Sequence, residues 1–201
     1  IIDKIRKNIF VPEQTKVPFI IGTVGLVGAG KTTVIKPIAE RFNLVRFSSD
    51  EVRELLKEND LPYDFIKELL RKFTNEFLEL GHGLALDADC GNPKTRKMME
   101  DLAKEFNLPI FWIYINPPEE FILNKLKNIR SMEGFRESGI FTNGEQAVEN
   151  YLNQKETRQE QNALKGFNFI QEVDTSRDDL GSQIEGVINK IEIALKNRDS
   201  Q

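Results

Sequence analysis

The amino-acid sequence predicts a three-layer α/β fold in which helices cover both faces of a parallel β-sheet. Two observations support this prediction. Five short apolar runs alternate with segments of helical periodicity, which is the pattern of parallel strands joined by crossover helices. A glycine-rich octapeptide also separates the first apolar run from the first helical segment. With 201 residues and 39% hydrophobic composition, the chain suits one such domain and is short for two.

The five apolar runs have the length of strands. They are Phe19 to Val24, Leu44 to Phe47, Leu84 to Leu86, Ile110 to Ile115 and Phe167 to Val173. Apolar side chains at three- and four-residue spacing predict an amphipathic helix from Tyr63 to Leu80, which Gly81 ends. The other predicted helices are Thr33 to Phe42, a helix that begins at Asp50 behind a Ser49 cap, Lys94 to Phe106, Glu119 to Arg130, Glu145 to Asn162, and Leu180 to about Asn197.

The octapeptide Gly25 to Thr32 matches the phosphate-binding pattern G-x-x-x-x-G-K-[ST] at every fixed position. Its glycines allow a curl in which consecutive backbone N–H groups face phosphate oxygens, and the following helix N-terminus adds a positive dipole end. The residues expected to contribute to this cradle are Gly25, Leu26, Val27, Gly28, Ala29 and Gly30. We expect Lys31 to reach the β- and γ-phosphates, Thr32 to ligate Mg²⁺, and Thr33 to contact the α-phosphate. The motif therefore predicts a P-loop NTPase fold with ATP and Mg²⁺ as cofactors; the alternative is a glycine-rich turn with an incidental lysine.

The chain divides into an N-terminal extension over residues 1–16 and a P-loop domain over residues 17–201. Residues 131–144 carry glycines and phenylalanines without periodicity, and the helix that follows is almost wholly polar after Leu152. Because such a segment has little apolar area to dock permanently, we predict a mobile lid over about residues 131–162. The alternative is a solvated helical hairpin with no catalytic role.

Polar residues after the second and third strands are candidates for the chemistry, because ligands of parallel sheets bind beyond the carboxyl ends of strands. We expect Asp50 to accept the proton of an attacking hydroxyl, while Arg53, one helical turn later, grips the acceptor. Ordinary helix capping is the alternative for Asp50. Asp87 ends the third strand, where a Mg²⁺-organising carboxylate belongs.

Further candidates are left with two interpretations each. Asp89 and Arg96 either line the site or are ordinary polar residues, and Asn92-Pro93 at least starts the next helix. Thr175 either contacts the nucleotide or, like Ser176, caps the last helix.

Arginines delivered on lid closure would stabilise the charge of a transferred phosphoryl group. Arg130, which closes a helix, and Arg136, inside the predicted lid, are the candidates; Arg130 alternatively stacks on adenine. Arg158 is expected to be solvated. His82 is interpreted as a turn residue and Cys90 as a small buried residue rather than a nucleophile.

The composition limits the classes of partner and the cellular compartment that we expect for this chain. A net charge of -4 argues against a dedicated nucleic-acid binder, and one cysteine excludes an internal disulfide. No apolar stretch approaches the roughly 20 residues that span a bilayer, and the start does not resemble a signal peptide. We therefore expect a cytoplasmic protein without membrane contact, as a monomer or homodimer. The chain lacks an initiating Met, which indicates a trimmed chain or part of a longer protein.

Taken together, the octapeptide, Asp50-x-x-Arg53, the strand that ends at Asp87, Arg130 and Asp174-Thr175-Ser176 resemble the P-loop small-kinase family. That group includes polynucleotide 5′-hydroxyl kinases, gluconate kinase and zeta-type toxins. The resemblance spans roughly Phe19 to Leu195. It implies a five-stranded parallel sheet in the order 2-3-1-4-5 with a helical lid, ATP as donor with Mg²⁺, Asp50 as base, Arg53 on the acceptor and lid arginines on the transferred phosphate.

The leading functional hypothesis is an ATP-dependent kinase that phosphorylates a hydroxyl of a small molecule or of a nucleic-acid 5′ end. Two alternatives remain at this point. One is an ATP-dependent switch or assembly factor without an acceptor, and the other is a zeta-toxin-like kinase of a nucleotide sugar.

Overall fold

The computed structural model describes residues 6–7, 9–13, 17–62, 64–128, 143–160 and 162–199. Five strands form one sheet: β1 (Ile20–Val24), β2 (Val45–Ser48), β3 (Leu84–Asp89), β4 (Ile110–Ile115) and β5 (Phe169–Val173). All described pairings are parallel, and the strand order is β2-β3-β1-β4-β5. The predicted fold class and sheet order are confirmed.

Seven helices accompany the sheet in the described part of the chain. They are α1 (Lys31–Arg41), α2 (Ser49–Glu58), α3 (Phe65–Glu79), α4 (Pro93–Glu105), α5 (Glu119–Lys127), α6 (Gly144–Glu160) and α7 (Leu180–Asp199). None of them combines the length and the apolar character that a bilayer crossing requires.

Helix ends follow local capping chemistry. The predicted Ser49 cap is wrong: α2 begins one residue earlier, and the Ser48 hydroxyl accepts the N–H of Glu51. Asn92 caps α4 as predicted, since its side-chain oxygen accepts the N–H of Lys94 at 3.0 Å, and Pro93 occupies the first helical position.

Both faces of the sheet are covered, which explains why the central strand β4 is a continuous apolar and aromatic run. Along β1, Ile20 packs toward α2, α3 and α4, whereas Ile21 packs toward α1, α5, α6 and α7. Two hydrophobic cores therefore hold β1 in the centre of the sheet, and the loop that follows β1 emerges at the middle of its carboxyl edge.

Close packing at β1 also requires a glycine. A Cβ atom at Gly22 would lie 2.6 Å from the Trp112 ring and 2.7 Å from the Cys90 sulfur. Only glycine leaves room at this position for the Trp112 ring and the Cys90 side chain to pack over β1. Cys90 is fully buried, as predicted, and burial raises the pKa of its thiol well above the usual range.

The N-terminal extension is described only in part. Arg6 forms an ion pair with Glu76 of α3 at 2.6 Å, while the Phe10 side chain is largely exposed. The division into an extension and a P-loop domain stays a prediction.

Candidate active site

The octapeptide forms the turn between β1 and α1. Gly28 and Gly30 adopt φ angles of 80° and 90°, a left-handed region that disfavours other residues. A Cβ atom at Gly28 would also lie 2.9 Å from Leu126 of α5. The predicted strand–loop–helix setting is thus present, and α1 presents its N-terminus to the loop.

Lys31 is folded back on this loop. Its Nζ donates to the carbonyl oxygens of Gly25 and Leu26, both at 3.0 Å. Burial lowers the pKa of Lys31, and the charges of Asp89, Asp50 and Asp87 oppose that shift. Three carboxylates therefore lie within electrostatic range of the lysine that the motif assigns to phosphate.

The contact between Asp87 and Thr32 is the second feature of the site. The Thr32 hydroxyl donates to Asp87 Oδ1 at 3.0 Å. The register of β1 on β3 shifts from Leu86 to Asp89, and Asp87 is paired with Ser48 of β2 on its other side. Burial raises the pKa of Asp87, while the Arg46 charge and the Thr32 hydrogen bond oppose that shift.

These two side chains fit a magnesium ion that is shared with a nucleotide. Mg²⁺ is commonly held by one or two protein oxygens, completed by phosphates and water. A hydroxyl and a carboxylate offer that number of donors. In the described ranges, no group of three or more His, Cys, Asp or Glu residues could hold a metal alone.

Arg46 is a site residue that sequence reasoning missed. Its side chain reaches from β2 across to Asp87 Oδ2 at 2.6 Å and pairs on its other side with Glu51. Burial alone would lower the pKa of Arg46, but its hydrogen bonds and charge pairing with Glu51 and Asp87 raise it. A charged residue inside the second apolar run was the available signal.

Asp50 and Arg53 lie together at the start of α2. Arg53 donates to Asp50 Oδ1 at 2.5 Å and to the Ser49 hydroxyl at 3.3 Å. The Asp50 side chain is 68% exposed and Arg53 is 27% exposed. The predicted placement on one helical face is therefore observed, and the pair is open to a ligand.

A cluster formed by Asp89, Gln154 and Arg158 joins α6 to the P-loop. The Arg158 side chain is only 12% exposed; it pairs with Asp89 and donates to the Gly25 carbonyl at 3.0 Å. Gln154 accepts the Val27 N–H at 2.7 Å and donates to Asp89 at 3.0 Å. The expectation that Arg158 is solvated is wrong, because its helix turns this side chain onto the loop. The four-residue spacing of Gln154 and Arg158, which places them on one helical face, was the only signal.

Thr175 and Arg96, for which the sequence left two interpretations each, both make specific contacts in the structure. Thr175 donates to the Ala29 carbonyl at 2.7 Å and so supports the P-loop from behind. Arg96 binds the Lys165 and Gly166 carbonyls, and its guanidinium stacks 4.0 Å above the Phe167 ring.

The remaining predicted residues fall in three places. Thr33 is exposed on the first turn of α1, and His82 packs edge-on against Phe77. Arg130 and Arg136 lie outside the described residues, as do residues 131–142 of the predicted lid.

A cavity of about 580 Å³ opens at the carboxyl end of β4, between the P-loop and α6. Its walls include Leu26, Tyr114, Asn116, Tyr151, Lys155 and Arg158. Burial raises the pKa of Tyr114. The cavity is large enough for a small molecule. It shares Leu26 with the phosphate loop, and its Arg158 wall contacts that loop at the Gly25 carbonyl.

The chain matches a family model described as "AAA domain" over residues 20–137, which is more than half of its length. No match was found among curated proteins. Its fold is similar to that of solved structures that include an APS kinase, a gluconokinase and a shikimate kinase, so the predicted small-kinase fold is confirmed.

The three structures are alike in similarity to this chain. The Mycobacterium tuberculosis APS kinase CysC, in complex with AMPPNP and APS, has a TM-score of 0.56 and 16% identity, covering 88% of this chain and 98% of its own. The Sinorhizobium meliloti 1021 gluconokinase has a TM-score of 0.58 and 15% identity, covering 92% of this chain and 97% of its own. The Bacteroides thetaiotaomicron shikimate kinase has a TM-score of 0.56 and 16% identity, covering 89% of this chain and 98% of its own.

Proposed function

This chain belongs to the AAA-domain family, and we propose that it is an ATP-dependent P-loop kinase that transfers the γ-phosphate to a hydroxyl. One observation carries the proposal. A second acid, Asp50, is paired with Arg53 at the exposed start of α2. The residue just before α2, Ser48, is the register partner of Asp87, so this pair lies at the same carboxyl edge of the sheet as the Thr32–Asp87 pair. A nucleotide switch needs the Thr32–Asp87 pair but not Asp50, since it has no acceptor to deprotonate.

The donor half is assigned to the loop and its neighbours. Backbone N–H groups of residues 25–30 and the Lys31 ammonium would bind the phosphates, and Thr33 would contact the α-phosphate. Thr32 and Asp87 would hold Mg²⁺, which when bound neutralises charge on the phosphate oxygens. Thr175 supports the loop through the Ala29 carbonyl and would also contact the nucleotide.

The acceptor half is assigned to the start of α2. Asp50 accepts the proton of the attacking hydroxyl, and Arg53 both orients Asp50 and holds the acceptor. Arg130 and Arg136 stay the predicted lid arginines, with Arg130 also a candidate for the adenine.

The acceptor is proposed to be a small molecule. The structures with this fold include kinases named for APS, gluconate and shikimate. The net charge of -4 does not favour a nucleic-acid 5′ end, which remains the second acceptor class. We also propose a cytoplasmic setting for this reaction.

The test compares Asp50→Asn with Glu58→Gln, which removes one exposed carboxylate from the same helix. Both variants are titrated with AMPPNP and Mg²⁺ and then assayed for ADP release with panels of sugar acids, polyols, nucleosides and 5′-hydroxyl oligonucleotides. We expect both to bind AMPPNP and only Asp50→Asn to lose acceptor-dependent ADP release, by about 100-fold or more. Full activity of Asp50→Asn would remove it from the mechanism. Slow ATP hydrolysis that responds to no acceptor would favour a switch instead.

A further inference from the structure

We propose that Arg46 is a positioning residue for the magnesium site. It holds one oxygen of Asp87 so that the other oxygen faces Thr32, and Glu51 holds the guanidinium on its far side. The inference rests on the proposed function in taking Thr32 and Asp87 as the residues that would hold Mg²⁺. It adds a role for two residues that contact neither nucleotide nor metal there, and it links the metal carboxylate to α2, the helix that carries Asp50.

The two carboxylate oxygens of Asp87 have different partners. Oδ1 accepts the Thr32 hydroxyl at 3.0 Å, and Oδ2 accepts an N–H of Arg46 at 2.6 Å. A carboxylate can bind a cation through one oxygen or through both. Because a charged donor occupies Oδ2, the carboxylate presents Oδ1 to the start of α1. Arg46 therefore selects the oxygen that would ligate Mg²⁺.

The sheet sets the direction from which Arg46 reaches this carboxylate. Arg46 is paired with Ala85 in the register of β2 on β3, and Asp87 is two residues further along β3. Side chains two residues apart on a strand share one face of the sheet, so Arg46 and Asp87 are diagonal neighbours. The Arg46 side chain is 20% exposed and that of Asp87 is 3% exposed. The backbones of two paired strands therefore hold this ion pair, and little solvent reaches it.

The far side of the guanidinium is tied to α2. Arg46 donates from its second terminal nitrogen to Glu51, in the first turn of that helix. Glu51 directly follows Asp50, so the proposed base and the metal carboxylate lie on either side of one guanidinium. Arginine suits this place because its planar fork donates in two fixed directions, whereas a lysine ammonium is a compact charge on a flexible stem.

The deciding variant is Arg46→Lys, which keeps the positive charge and removes the fork. Isothermal titration measures AMPPNP binding in EDTA, in Mg²⁺ and in Ca²⁺. We expect binding in EDTA to match the wild type and the half-saturating Mg²⁺ concentration to rise about tenfold, since loss of a residue that orients a metal ligand typically costs about 10–100-fold in metal affinity. The half-saturating Ca²⁺ concentration should rise less, because Ca²⁺ accepts flexible coordination and Mg²⁺ requires near-ideal octahedral geometry.

Glu51→Gln tests the tie to α2 while Arg46 itself is kept, and it stays decisive if Arg46→Lys does not fold. It should raise the half-saturating Mg²⁺ concentration by about two- to fivefold, a smaller factor because Glu51 is 51% exposed. Glu58→Gln, which removes an exposed carboxylate from the same helix, should match the wild type. If Glu51→Gln also matched the wild type, the tie to α2 would be overturned.

The titrations also separate failure of this inference from failure of the proposed function. If Mg²⁺ strengthens AMPPNP binding equally in the wild type and in Arg46→Lys, only the role of Arg46 is overturned. An equal loss of binding in EDTA and in Mg²⁺ would also overturn it, because Arg46 would then support the fold alone. If the wild-type chain binds AMPPNP no better in Mg²⁺ than in EDTA, the proposed metal site is wrong and Arg46 has no metal ligand to position.

Discussion

Replacing Arg46 by Met is expected to destabilise the fold strongly, because it strands the carboxylate of Asp87. The Asp87 side chain is 3% exposed and lies 2.6 Å from the guanidinium, which is itself 20% exposed. Removing one partner of a buried pair costs about 3–5 kcal/mol. We expect about 3 kcal/mol, at the lower end, because Thr32 still donates to Asp87.

The second partner of Arg46 contributes little to this figure. Glu51 is 51% exposed, so solvent screens its pairing, which is worth at most about 1 kcal/mol. For a chain of this size, a loss of about 3 kcal/mol lowers the melting temperature by about 6–12 °C.

The assay is urea unfolding followed by the fluorescence of Trp112, the single tryptophan, which is buried. Glu51→Gln serves as the control and should lose less than about 1 kcal/mol. The double variant that combines Arg46→Met with Asp87→Asn should lose about 2 kcal/mol less free energy of unfolding than the sum of the two single-variant losses. Unfolding of Arg46→Met within about 0.5 kcal/mol of the wild type would refute the reasoning.

Two further predictions use the loop and the core. Gly30→Ala should lower the unfolding free energy by about 1–3 kcal/mol and weaken AMPPNP binding, because φ at Gly30 is left-handed and Thr175 lies 3.0 Å from the new methyl group. Gly181→Ala is the control, since its methyl group meets nothing within 4 Å. Equal losses in the two variants would contradict the argument. Native Cys90 should react with a thiol reagent at pH 8 only as fast as the protein opens, since the thiol is buried and burial raises its pKa. The free energy of unfolding should fall as the pH rises through 9.0, because the thiol ionises there in the unfolded chain but not in the folded one. Rapid labelling without denaturant would contradict this, and urea-unfolded protein provides the fast reference.

The parts of this molecule that could be predicted depend on local patterns. An apolar run followed by Gly25 to Thr32 and a helix identifies the P-loop. A carboxylate at the end of an apolar run draws attention to Asp87, although β3 continues beyond it to Asp89. Lys31 and Asp50 follow the first and second strands, and the carboxyl ends of parallel strands meet at one edge of a sheet. The sequence therefore predicts that both residues lie at that edge.

The missed contacts depend on pairing that a single sequence does not display. Arg46 meets Asp87 across 41 residues, and its charge inside an apolar run is explained only by the neighbouring strand. Gln154 meets Val27 across 127 residues. The polar character of α6 predicted a mobile lid, with a solvated hairpin as the alternative, and a solvated Arg158. Two of its polar side chains instead face the loop and hydrogen-bond to it.

The central place of β1 in the sheet has a consequence for how the chain assembles during synthesis. Although β1 comes first, its two neighbours are β3, paired from Leu84, and β4, paired from Ile110. The loop after β1 cannot take its final shape until residue 115 has left the ribosome, because before then one side of β1 has no partner. A nascent chain therefore carries the phosphate-binding sequence long before it can bind phosphate.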